Sequence, residues 1–376
     1  MKKTIIILML IINYNSIFSQ SLITEQIILK NNTVYAQSDE LISIPWLEFL
    51  KYFKINDTSF FKIINCTTKK EVPIQLESLG TGFIQNILMV VTVPAKSEIC
   101  LTVIPQKRTI YASKTYARFV PERKDDFAWE NNLMAYRAYG KALETTNENA
   151  YGIDVWAKRT DSLIINKWYK NADYHKDHGE GVDYYSVGFT LGAGGVAPYQ
   201  NDSIWYSPNF ISYTVLDNGP LRSSFDLMYP SYLVDGKKIT IKKRISIDLS
   251  SQLFRNQFFF ESESGFDSTF AIGITRRKEP GVVMMNEQNG VLGYWEPADK
   301  INGTTGIGVI LPEINNKMSV NNKHYLIRLK PTSNSFIYYS GASWNKAGKI
   351  LNEDDWFKYL NQYKNKLVNP IQVSFK

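Results

Sequence analysis

Lys238-Ile239-Thr240-Ile241-Lys242-Lys243-Arg244-Ile245-Ser246-Ile247-Asp248-Leu249 alternates aliphatic and polar side chains, with one interruption at Lys243. Successive side chains of a strand point to opposite faces, so this run predicts a half-buried strand with its isoleucines inward and its Lys, Thr, Arg and Ser outward. Runs of the same grammar follow at Leu253–Phe260, Phe270–Thr275, Gly306–Leu311, Tyr325–Leu329 and Phe336–Ser340. Toward the N-terminus, shorter ones stand at Gln26–Leu29, Leu41–Ile44, Phe60–Ile64, Val72–Leu76, Ile87–Val93 and Glu98–Ile104. Breaks at Asn31-Asn32, Asn56-Asp57 and Gly80-Thr81-Gly82 separate them. Strands and helices do not alternate, which excludes a parallel doubly wound sheet. One clear helix closes the chain. Asn352 caps it, Glu353 to Asp355 favour its positive end, and Trp356, Tyr359, Leu360, Tyr363 and Leu367 form its apolar stripe. The fold predicted is all-β: a small β-sandwich over residues 20–105, then a large antiparallel β-sandwich over 106–376 that ends in the short helix, with the boundary at the polar stretch Pro105–Arg108.

Lys2 and Lys3 followed by the apolar run Thr4–Ile12 and small residues at Ser16 and Ser19 read as a signal peptide over 1–19, which predicts a periplasmic or secreted protein. That run is too short to span a bilayer, and membrane insertion is not expected. The net charge of +7 is spread along the chain without a basic block, which speaks against nucleic-acid binding. Mild basicity suits an anionic ligand such as an acidic sugar. Cys66 and Cys100 lie in apolar strand-like settings; export permits a disulfide between them, and simple burial is the other reading. The oligomeric state is not legible.

The densest run of ionisable and aromatic residues lies between Arg123 and Tyr185. Glu122-Arg123-Lys124-Asp125-Asp126-Phe127-Ala128-Trp129-Glu130 mixes charge with aromatics, as sugar sites do when rings stack on C–H faces and charged groups fork hydroxyls and carboxylates. Strand parity then places Ala135, Arg137 and Tyr139 on one face of one strand, and Asp154, Trp156 and Lys158 on one face of another. An ordinary solvated face is the competing reading. Tyr174-His175-Lys176-Asp177-His178-Gly179-Glu180-Gly181-Val182-Asp183-Tyr184-Tyr185 holds two of the chain's three His. Imidazole can act as base or acid near neutrality. A hydrogen-bonded loop, or a divalent cation on His175, His178 and Glu180, are the alternatives; no cofactor is the favoured expectation. His324 reads as structural, and Arg276-Arg277-Lys278 as a solvated strand end, with contact to an anionic substrate as the other reading.

The two long blocks just quoted, together with Arg137-Ala138-Tyr139-Gly140 and Gly152-Ile153-Asp154-Val155-Trp156, resemble in their order a family described as a domain of unknown function that includes oligosaccharide dehydratases of ulvan-degrading marine bacteria. The resemblance covers nearly the whole mature chain. It implies a galactose-mutarotase-like supersandwich and a carbon–oxygen lyase of acidic-polysaccharide degradation. The reaction implied removes water from a non-reducing-end uronic acid and leaves a C4–C5 double bond.

Such an elimination needs a carboxylate clamp, a base at C5 and an acid at O4. Chemistry assigns Arg137 to the clamp with Lys158 or Arg123 assisting, His175 or His178 to the base, and Tyr185 or the other His to the acid. Trp129 and Trp156 would stack on sugar rings, while Asp126, Glu130, Tyr139, Asp154, Glu180 and Asp183 would bind hydroxyls or orient the imidazoles. The rivals are a polysaccharide lyase, a glycoside hydrolase using two of Asp126, Glu130, Glu180 and Asp183, an epimerase or mutarotase, and a non-catalytic sugar-binding protein.

Overall fold

A computed structural model describes residues 25–171, 173–313 and 316–376; the signal-peptide expectation for 1–19 lies outside the described residues. The chain is built from antiparallel sheets, as the alternation requires. Residues 26–104 form two of them. One has three strands, and the other has four from this segment plus the C-terminal strand Gln372–Phe375, which pairs with Gln26–Asn31. Sequence assigned that last strand to the larger part. It instead completes a sheet of the small sandwich, where Phe375 packs against the core and stacks on Tyr52 at 4.0 Å. Ile27, Leu29, Ile44, Phe49, Ile63, Met89 and Leu101 fill the core between the two sheets. Cys66 and Cys100 are joined in a disulfide between neighbouring strands, which settles the two readings left open by sequence.

The larger part packs a nine-stranded sheet against two five-stranded sheets. Ile239, Ile241, Ile245 and Ile247 point into the shared core, as the alternation demands, together with Phe254, Phe258, Ile272, Ile307, Ile327 and Tyr338. Lys243 continues their row. Its amine lies 4.5 Å from the centroid of the Tyr229 ring, and burial pushes it down to about 8. Helix α3 (Glu353–Val368) is capped by Asn352 as predicted, and sets Trp356, Leu360 and Tyr363 on the back of the nine-stranded sheet.

Helices α1 (Trp46–Tyr52) and α2 (Ile165–Asn171) are too short for a periodic pattern to reveal them. The second matters for the site. It covers the outer face of the five-stranded sheet made by Thr115–Val120, Asp126–Asn131, Met134–Ala138, Asp154–Lys158 and Gly181–Val182. That sheet is therefore buried on both sides. Phe127, Trp129, Met134, Tyr136 and Val155 face the main core, and Ala128, Ala135 and Trp156 lie beneath Ile165, Trp168 and Tyr169.

Candidate active site

Parity sends Asp126, Ala128 and Glu130 to the same side of the sheet as Arg137, Asp154, Trp156 and Lys158, and register sets Arg137 opposite both Ala128 and Asp154. Five charged side chains thus share a face that α2 takes away from water. Each must find a partner there, because an unpaired buried charge costs several kcal/mol. Two groups form. Lys158 Nζ donates to Glu130 Oε2 at 2.7 Å and to the Asn131 carbonyl at 2.7 Å, and both ionic side chains are 0% exposed. Glu130 also accepts the backbone N–H of Ile164 and of Ile165 at 2.8 Å, which ties the start of α2 to the sheet. Glu130 and Lys158 therefore hold the fold. They are not free to meet a substrate, contrary to the expectation from sequence.

The second group surrounds Arg137. Its Nε and Nη2 donate to Asp154 Oδ2 at 2.9 and 2.5 Å, its Nη2 reaches Asp183 Oδ2 at 3.3 Å, and Nη1 lies 3.6 Å from Asp126 Oδ2. Three carboxyl groups share one guanidinium. Burial, with the neighbouring Asp154 charge adding to it, holds the Asp183 carboxyl well above the usual carboxylate range, and burial lifts Asp126 to about 7. The cluster consequently keeps a proton near neutrality. Arg137 is not an unencumbered clamp for a substrate carboxylate, since its charge is already shared among these acids.

Asp183 brings this buried group to the surface. A Cβ on Gly181 would lie 2.0 Å from the Ala157 carbonyl oxygen, and its φ of +139° suits glycine, so glycine alone lets residues 181–182 pair with Ala157 and Lys158. The next residue, Asp183, is thereby fixed beside Arg137, and its N–H donates to the Tyr174 carbonyl at 2.8 Å. Its own carbonyl faces His175 Nδ1 at 3.0 Å. A carbonyl only accepts, so Nδ1 is the donor, and in the neutral ring the lone pair is on Nε2. The His175 side chain is 65% exposed. His175, Asp183, Arg137, Tyr139 and Tyr185 line one open cleft of about 300 Å³, with Glu148, Asn149 and Gly188 on its rim. The Tyr185 hydroxyl is buried, and burial holds its phenol well above the ordinary range.

Other predicted residues lie elsewhere. Trp129 is in the main core against Phe225 and Phe254, and Trp156 stacks on Trp168 and Tyr174 while its indole N–H donates to Asp154; neither offers a ring to a sugar. His178 and Glu180 line a different cleft, of about 280 Å³, where His178 pairs with the exposed Asp173 and Glu180 with Lys167. The cation alternative on His175, His178 and Glu180 thus has its ligands divided between two clefts, and among the described residues no group of three or more His, Cys, Asp or Glu is gathered around a metal position. Arg123 stays close, donating to Tyr174 Oη at 3.3 Å and to Glu148 at 2.9 Å. His324 accepts the Leu191 N–H at 3.1 Å in a buried setting, the structural role expected of it.

The family model for a domain of unknown function, DUF4861, matches residues 29–373. The chain belongs to this family. The DUF4861 protein is similar to the uncharacterized protein P7 of Formosa agariphila, at 31% identity over 290 residues and 71% of each chain. Its fold is similar to that of two solved structures from Enterococcus faecalis. One is a protein in glycosyl hydrolase family 38, with a TM-score of 0.53, 10% identity and 94% of this chain covered; the other is an alpha-mannosidase, with a TM-score of 0.50 at the same identity and coverage. The chain spans about half of each of those two, 47% and 46% respectively. At that identity the likeness is one of fold.

Sequence reasoning about the DUF4861 protein missed Glu148 and favoured a solvated setting for Arg277. Arg277 is not a solvated strand end. It donates to Glu296 at 2.5 Å and to the Ser186 carbonyl at 2.6 Å, and its guanidinium sits 4.5 Å from the centroid of the Tyr185 ring. The local charge run marks it but not its partners, which are far away in sequence. Two outcomes follow from the geometry. His178→Ala is expected to leave turnover near normal, and a loss comparable to that of a cleft residue would place the chemistry at the neighbouring cleft instead. Asp126 holds its proton more tightly folded than unfolded, so its contribution to stability is full below its ordinary value of 3.8 and is lost as pH rises through about 7. Asp126→Asn, neutral at every pH, should lose less stability between about pH 4 and pH 8 than the unmodified protein in urea titrations. An identical loss would show that Asp126 does not hold the proton.

Proposed function

We propose that the cleft at His175 is the active site of an acid–base enzyme that removes water from a terminal uronic acid of an acidic oligosaccharide. The observation that carries this reading is the hydrogen bond from His175 Nδ1 to the Asp183 carbonyl, which puts the lone pair of the neutral ring on Nε2 in an exposed side chain lining a cleft shared with a carboxyl held well above its usual range, a guanidinium and a phenol. In the reaction, His175 Nε2 takes the proton from C5, and the electron pair of that bond forms the C4–C5 double bond. The O4 hydroxyl departs with a proton from Tyr185 and leaves as water. As C5 loses its proton, charge grows on the sugar carboxylate, where protonated Asp183, held by Arg137, donates a hydrogen bond. Arg123 adds positive charge at the rim. Among the cationic roles assigned from sequence, Asp183 replaces Arg137 as the direct partner of the carboxylate, and Lys158 has none.

The test is incubation with acidic oligosaccharides that end in saturated glucuronate, followed by mass spectrometry. The expected product has lost the mass of one water at unchanged chain length, and ultraviolet absorbance from the conjugated carboxylate rises. A lyase would raise absorbance while shortening the chain. One observation favours a hydrolase as the second reading: Asp183 holds its proton while Glu148, beside Arg123 on the same rim, is kept ionised, which is the pairing of carboxyl groups that glycoside hydrolysis uses. A shortened, hydrated product would select it.

A further inference from the structure

Tyr151, Phe189 and Tyr206 gather three rings at the protein surface, although sequence gives no sign of their meeting. Phe189 packs edge-on to Tyr151 at 4.9 Å between ring centroids and against Tyr206 at 4.8 Å, and the two tyrosine rings lie 5.4 Å apart. Phe189 remains 53% exposed, so a large apolar ring is held in place and left uncovered. Isolated exposed apolar side chains are ordinary; a clustered aromatic surface beside a cleft is a binding feature. Continuity with the candidate active site is direct. Gly188, the residue before Phe189, lines that cleft, as does Asn149, whose amide donates to Tyr151 Oη at 2.9 Å. The loop is anchored where Thr190 bonds the Val187 carbonyl at 2.7 Å and the Thr275 hydroxyl at 2.6 Å. The Lys323 amine stands 5.6 Å from the Phe189 ring centroid and places a positive charge beside the platform.

We propose that this platform is a second sugar subsite, on which the ring next to the reacting uronic acid lays a C–H face on Phe189 with an anionic substituent toward Lys323. Phe189 supplies the stacking surface that Trp129 and Trp156, buried elsewhere, do not. The subsite makes the protein selective for oligosaccharides over single sugars. It rests on the reading of the cleft as an acidic-sugar site, and it concerns binding alone.

Binding is read by calorimetry on the His175→Ala protein, which leaves substrate intact, with free glucuronate and with a tetrasaccharide that ends in glucuronate as probes. Adding Phe189→Ala is expected to weaken the tetrasaccharide several-fold to about tenfold and to leave free glucuronate unchanged, the scale of one aromatic stacking contact. Lys323→Gln should weaken the tetrasaccharide at low salt and have little effect at high salt. Tetrasaccharide affinity unaltered by Phe189→Ala overturns the subsite while the reading of the cleft stands. Weakened tetrasaccharide binding in a protein that performs no elimination keeps the subsite and removes the reaction, and failure of the His175→Ala protein to bind either probe overturns both.

Discussion

His175→Ala is expected to lower turnover of an acidic oligosaccharide by about a hundredfold or more, with the fold intact. The side chain is 65% exposed and contributes one ring nitrogen to a backbone carbonyl, so little packing is lost with it. What disappears is the imidazole that lines the cleft. His175→Gln, which can still donate a hydrogen bond to the Asp183 carbonyl but holds no titrating nitrogen, should be nearly as slow. Steady-state rates together with a circular dichroism melt distinguish lost chemistry from lost structure. Turnover within a few-fold of normal in both variants would take the base away from His175.

Lys158→Ala should destabilise the protein by about 3–5 kcal/mol, because it leaves Glu130 charged and enclosed beneath α2. The cost comes from the stranded carboxylate rather than from the pair's own attraction. Glu130→Gln combined with Lys158→Met should therefore be much milder than Lys158→Ala alone, since the amide oxygen can still accept from Ile164 and Ile165 and no charge remains. Denaturant titrations of the single and double variants measure the difference. Equal losses in both would mean that packing, not charge, governs the site.

These two residues also mark how far sequence could be read. Alternation placed the isoleucines of 239–247 in the core, put Arg137 with Tyr139 on one face of one strand and Asp154, Trp156 and Lys158 on one face of another, and the strand register joins those two faces. Parity says which side chains share a side of a sheet. It does not say what covers that side, and α2, at seven residues, is too short to announce itself. A face read as a sugar site is for the most part buried, reaching the cleft at Arg137, at Tyr139 and, through the Gly181 turn, at Asp183. The two His of one block were read as partners because they are close in sequence, yet the turn between them sends them to separate clefts. Glu148, Phe189, Tyr206 and Arg277 acquire their roles through long-range contacts, which no local pattern encodes.

Removal of the C5 proton by His175 is the central step of the proposed reaction, and deuterium placed at C5 of the terminal glucuronate reports on it directly. The expected result is slower conversion of the labelled oligosaccharide under single-turnover conditions, with product of unchanged chain length that has lost the deuterium. Product that retains the label at C5, formed as fast as from unlabelled substrate, would contradict proton abstraction at that carbon.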